Sequence, residues 1–188
     1  MLALLKEPLE THTATSLAKS LGMTRQGLWK VIHKLTGEKL VTVKVIGQAR
    51  NSITTIHLNW PNPVTEKALS LLLTKESVNR ERWMVNFAEL GKHATFLILF
   101  GSILHSPRDA QDIDIIAVVS KKGFKVLEEA LAKVQQTQLK KIHLIDVTKE
   151  EFSHELKSNN NAYAGAVKKG IVLSGQENFI YFMKEFQR

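Results

Sequence analysis

Two stretches decide the fold of this chain: Thr95-Phe-Leu-Ile-Leu-Phe-Gly-Ser102 and Asp112-Ile-Asp-Ile-Ile-Ala-Val-Val119. Each holds a short, continuous apolar run, the pattern of a strand buried on both faces. The first run stops at Gly101-Ser102, and a polar stretch from Ile103 to Gln111 follows. The second run opens with two carboxylates two residues apart. Side chains at i and i+2 of a strand point to the same side, so Asp112 and Asp114 are expected to project together.

Like charges held that close repel unless a cation lies between them. A hard divalent ion meets that need, because Mg²⁺ prefers carboxylate and phosphate oxygens. Gly101 lets the backbone approach a ligand closely, and its amide and the Ser102 hydroxyl are suited to phosphate oxygens. The expected ligand is therefore a metal–nucleoside triphosphate, ATP being the first candidate, with Mg²⁺ or Mn²⁺ on Asp112 and Asp114.

Outward from this pair the pattern alternates. Residues 124–136 read as a helix with Val126, Leu127, Ala130, Leu131 and Val134 on one face. Lys141-Ile-His-Leu-Ile-Asp-Val-Thr148 reads as a third strand. Thr148-Lys-Glu-Glu151 is a capping box, and Gly170-Ile-Val-Leu-Ser-Gly175 is a short edge strand between two helices. Upstream, residues 64–93 read as one or two helices. Leu69, Leu72 and Leu73 mark one buried face and Trp83, Phe87 and Leu90 another, with Gly91 as the expected end.

Hydrophobic strand, Gly-Ser, loop, then Asp-x-Asp opening the next strand resembles the minimal nucleotidyltransferases of the DNA polymerase beta type. The stretch Phe100-Gly-Ser-Ile-Leu-His-Ser-Pro-Arg-Asp-Ala-Gln-Asp-Ile-Asp-Ile115 carries the likeness, which covers roughly residues 80–185. The resemblance implies transfer of a nucleoside monophosphate from a triphosphate to a hydroxyl acceptor, with Asp112 and Asp114 as catalytic metal ligands. It also implies that such proteins modify partner proteins or act as antitoxins. The loop departs from the family pattern. Ile103-Leu-His-Ser106 stands where a small residue, a cation and a glycine are usual, and Arg108 is the candidate replacement cation.

Full catalysts of the family carry a third acid on a later strand, and Asp146 is the only acid in the third strand here. His143 is three residues earlier, so the two point to opposite faces. Only one of them can look at the pair. With Asp146 inward the catalytic set is complete; with His143 inward the domain would bind nucleotide without turning it over.

The first third of the chain has another character. Residues 1–60 hold eight Lys/Arg against three Asp/Glu, while the remainder holds 18 against 15. A basic, acid-poor module is the electrostatic footprint of a nucleic-acid binder. Thr15 to Leu21 reads as a short helix ended by Gly22 at positive φ. Thr24 caps a second helix through Leu28, Val31, Ile32 and Leu35. Strands over 40–46 and 52–58 form a hairpin with a basic tip. The stretch Ser16-Leu-Ala-Lys-Ser-Leu-Gly-Met-Thr-Arg-Gln-Gly-Leu-Trp-Lys-Val-Ile-His-Lys-Leu35 resembles the winged helix-turn-helix family. Carried over by position, Thr24, Arg25, Gln26 and Lys30 would face double-stranded DNA, with Arg50 at the wing tip. Trp29 reads as a core or interface aromatic. Such regulators often bind as homodimers, and the family also includes protein-interaction modules.

The expected architecture is mixed α+β: a winged helix-turn-helix over 1–60, connecting helices over 61–93 and a nucleotidyltransferase domain over 94–188. Trp60-Pro-Asn-Pro63 marks the boundary, since two prolines disfavour helix and central strand alike. The 188 residues contain no cysteine, which excludes disulfides and thiolate chemistry and is compatible with a reducing cytoplasm. No apolar run is long enough to span a bilayer. The rival expectation is a DNA-binding regulator or antitoxin whose second domain only senses nucleotide or dimerises.

Overall fold

The computed structural model describes residues 1–47 and 52–187. It divides into two compact units, residues 1–69 with Gln187, and residues 70–186. The protein is mixed α+β with two separate sheets.

In the first unit, α1 (Leu2–Lys6) precedes α2 (Ala14–Ser20) and α3 (Arg25–Gly37). Thr13 and Ser16 close a capping box at the start of α2, one residue before the expected helix start. Gly22 takes φ +62°, so the chain reverses where an L side chain would be strained. The Thr24 oxygen then accepts a 3.1 Å hydrogen bond from the Gly27 amide and caps α3. One face of α3 buries Leu28 and Ile32, one turn apart, whereas Val31, expected beside them, is 43% exposed. With Leu5, Leu17, Val41, Ile56 and Leu58 they are the main buried side chains of this unit. Strands β1 (Val41–Ile46) and β2 (Ile53–Leu58) pair antiparallel from Val41↔Leu58 to Ile46↔Ile53.

Helix α4 (Pro63–Val78) begins on a proline, as suits a position with no intrahelical N–H partner. It contains the division between the units, at Leu69/Ser70. The segment expected as one or two helices continues as α5 (Glu81–Asn86) and α6 (Ala88–His93). Gly91 lies inside α6 and does not end it.

The second unit is built on the order β5-β4-β3-β6. Strand β3 (Phe96–Phe100) runs antiparallel to β4 (Asp112–Val118) and to β6 (Ile171–Ser174). Strand β4 runs parallel to β5 (Lys141–Val147), joined through α7 (Phe124–Gln135). The remaining helices are α8 (Lys149–Lys157), α9 (Asn161–Lys169) and α10 (Gln176–Phe186).

Both faces of the sheet are covered, which is why β3 and β4 read as unbroken apolar runs. On one face Leu97, Leu99, Ile113, Ile115, Ala117 and Ile142 pack with Leu127, Ala130 and Val134 of α7 and with Trp83, Phe87 and Leu90. On the other, the Phe96 ring lies 5.5, 5.4 and 5.7 Å from the rings of Phe152, Phe179 and Phe182. Val126, expected on the buried face of α7, is 44% exposed. Among the described residues, no helix is long and apolar enough to cross a membrane.

Candidate metal centre and basic helix

The carboxylate pair sits where two strand ends meet. Because β3 and β4 are antiparallel, the last residue of β3 lies beside the start of β4, and Phe100 pairs with Asp114. Gly101 follows at φ +83° and ψ −168°. That conformation belongs to glycine, and the space around it does too. A Cβ added there would overlap the Asp114 carboxylate and stand 3.0 Å from its Cγ. Glycine therefore lets the backbone close against the carboxylate. The chain then makes a 3₁₀ turn over Ser102–Leu104, whose Ser102 carbonyl accepts from the amides of His105 and Ser106 at 3.0 and 2.8 Å. Ile103 and Leu104 are buried and anchor the turn, leaving Ser102 exposed at its start.

Asp112 and Asp114 are both half-buried, while Ile113 between them is in the core. The pair thus projects from one face, as the i, i+2 spacing requires. The parallel register between β4 and β5 decides what joins them. Asp114 pairs with His143 and Ala117 with Asp146. His143 Nδ1 lies 3.2 Å from Asp114 Oδ1. One ligand atom from each of Asp112, Asp114 and His143 lies within 4.8 Å of the others.

Asp146 does not enter this group. Ile142 and Leu144 pack towards the α7 face, and Asp146 follows them in the strand's alternation. The acid that the family resemblance would require is turned to the other side of the sheet, and His143 stands in its place. The spacing of the two residues posed this choice, and only strand register could settle it.

The residues present fit a cation. The Asp112 carboxylate has no hydrogen bond or ion pair among the described residues, although the residue is half-buried beside a second carboxylate. An unpaired carboxylate in that setting is costly unless a positive charge shares it. Two oxygens and one ring nitrogen, open to solvent on one side, form a donor set for a divalent ion with coordination positions left over. His143 is 61% exposed and Asp114 21%.

In the first unit, Arg25, Gln26, Lys30, His33 and Lys34 are exposed on α3. Thr24 is exposed as well, but its oxygen is engaged as the helix cap. Trp29 is half-buried, its ring 5.5 Å from that of His33. Arg50 lies outside the described residues. No protein-family model matches the chain, and neither a curated protein nor a solved structure matches it.

Proposed function

We propose that this is a nucleotidyltransferase-type protein: residues 70–186 bind a metal–nucleoside triphosphate, and residues 1–69 bind duplex DNA as a winged helix. The observation that carries the first part is the convergence of Gly101, Asp112 and Asp114 at adjoining strand ends, with Gly101 closed against the Asp114 carboxylate. Asp112 and Asp114 would hold the ion, Mg²⁺ or Mn²⁺. Bound there, an ion neutralises phosphate charge and polarises a phosphoryl oxygen. The exposed Ser102 hydroxyl donates to a phosphate oxygen. Glycine at 101 lets the phosphates approach the main chain. Transfer of the nucleoside monophosphate to a hydroxyl acceptor is the reaction this arrangement serves.

A second reading is favoured by one observation, the outward turn of Asp146. With no third carboxylate beside the pair among the described residues, the carboxylate that would take the acceptor's proton is missing. On this reading the domain senses nucleotide and the chain is a DNA-binding regulator or antitoxin. One experiment separates the two: labelled ATP, Mg²⁺ and cell extract, with wild type beside Asp112→Ala. Label transfer that disappears in the variant supports the transferase. Equal inertness, together with a nucleotide-dependent change in DNA affinity, supports the regulator.

For the DNA partner, the exposed basic residues of α3 support placement of this helix in a major groove. Arg25→Ala should weaken duplex binding and, if Arg25 meets a phosphate, lower the salt slope by about 1. Unchanged binding would instead mark the module as a protein-interaction domain.

A further inference from the structure

We infer that His143 is the third ligand of the metal centre, and that the centre therefore selects a first-row transition dication of the zinc type over Mg²⁺. This rests on the metal site proposed above and names the ion it takes. The nitrogen donor is the distinguishing feature. Mg²⁺ is a hard ion that favours oxygen ligands and dehydrates reluctantly. Imidazole instead suits Zn²⁺, Ni²⁺ and their neighbours, whose affinity for mixed nitrogen–oxygen sites is intrinsically higher.

Two of the three donors already stand at a coordination spacing. Two atoms each about 2.0 Å from an ion, at a tetrahedral angle, stand roughly 3.3 Å apart. His143 Nδ1 and Asp114 Oδ1 stand 3.2 Å apart, and Asp112 offers an oxygen within 4.8 Å of a ligand atom on each, close enough to reach the same ion by turning its carboxylate. All three come from strands. Asp112 and Asp114 share a face of β4 by alternation, and His143 is held beside Asp114 by the parallel register with β5. The strands thus bring the three residues to one place without a nucleotide. Three protein ligands on a solvent-open side leave a fourth position for water or a phosphate oxygen. Neutral imidazole also makes the charge balance simple: two carboxylates against one dication.

The alternative is that His143 only pairs with Asp114. An exposed ion pair of that kind contributes little to stability and would have no bearing on which metal binds.

The test uses the full chain with Zn²⁺ or Mg²⁺ alone, in the absence of nucleotide. The chain has seven histidines, so binding is followed residue by residue with ¹⁵N-labelled histidine side chains. Zn²⁺ is expected to move the His143 Nδ1 resonance, and to bind more tightly than Mg²⁺. His143→Ala should lower Zn²⁺ affinity at this centre at least roughly tenfold, the loss that removal of even an outer partner of a metal ligand brings. Its Mg²⁺ affinity should change little. His143→Asp should restore an all-oxygen set and shift the preference back towards Mg²⁺. Circular dichroism of both variants verifies that the exposed edge-strand change leaves the fold intact. If Zn²⁺ affinity is lost in Asp112→Ala but unchanged in His143→Ala, the nitrogen ligand is overturned while the carboxylate site stands. If neither ion depends on Asp112 or Asp114, the metal site falls as well.

Discussion

Residues 1–69 and residues 70–186 use polar side chains in opposite ways. In the first unit the charged groups of α3 lie on an exposed helix face, and the helix beneath them is organised by near neighbours: a Thr24 cap, a Gly22 reversal, and Leu28 and Ile32 one turn apart. In the second unit the polar group that matters is assembled from residues distant in sequence. Gly101, Asp114 and His143 meet only because three strands are in register. A locally built surface tolerates single changes at modest cost. A site assembled across strands does not, because each residue's position depends on the packing of the sheet.

The largest test of this contrast is Phe96→Ala. Phe96 is fully buried among three other phenylalanine rings, and truncation there should cost about 3–5 kcal/mol. Denaturant unfolding followed at Trp83 should shift, while the signal from Trp29 and Trp60 should not. Equal shifts at both would show that the two units unfold as one.

Gly101→Ala comes next. The backbone at φ +83° and ψ −168° is a region that essentially only glycine occupies, and an L residue there costs on the order of 1–3 kcal/mol. The new Cβ also collides with the Asp114 carboxylate and should displace it. Calorimetry should therefore show divalent-ion binding weakened beyond what the small stability loss explains. Retained affinity would detach Gly101 from the site.

Thr24→Ala removes the cap of α3 and should lower the stability of residues 1–69 by about 1 kcal/mol, with residues 70–186 unaffected. A null result in differential scanning would mean that tertiary packing, not the cap, holds the start of α3.

The smallest expected effect is a pH dependence at His57. Burial, followed by nearby Lys44 and His12, holds its pKa below the ordinary value. The unfolded chain then takes up the proton first, so stability falls as pH drops from about 6.5 towards the lowered folded value. His57→Gln should flatten the fall in Tm over that window. An unchanged profile would assign the dependence to other groups.

Much of the architecture was legible because its determinants are local or periodic. The Thr24 and Thr148 caps, the positive φ at Gly22, the hairpin, the strand that ends just before Gly101 and the strand that opens at Asp112 lie at or within a residue of where the sequence places them. Errors arose where neighbours overrule pattern. Gly91 continues α6 instead of ending it, and Val31 and Val126 share an apolar periodicity with buried residues yet face outward. Periodicity locates a helix face but not how wide a stripe the sheet or neighbouring helix covers.

The sequence by itself determined the α+β class, the two strand-borne carboxylates on one side and the concentration of positive charge in the first third. Each follows from near-neighbour geometry: a two-residue strand period, a 3.6-residue helix period, and composition. Only the tertiary structure decided that His143, and not Asp146, stands beside Asp114. A shift of one residue in the pairing of β5 against β4 would exchange the two faces, and the sequence of β5, with apolar residues on both, does not specify that register alone.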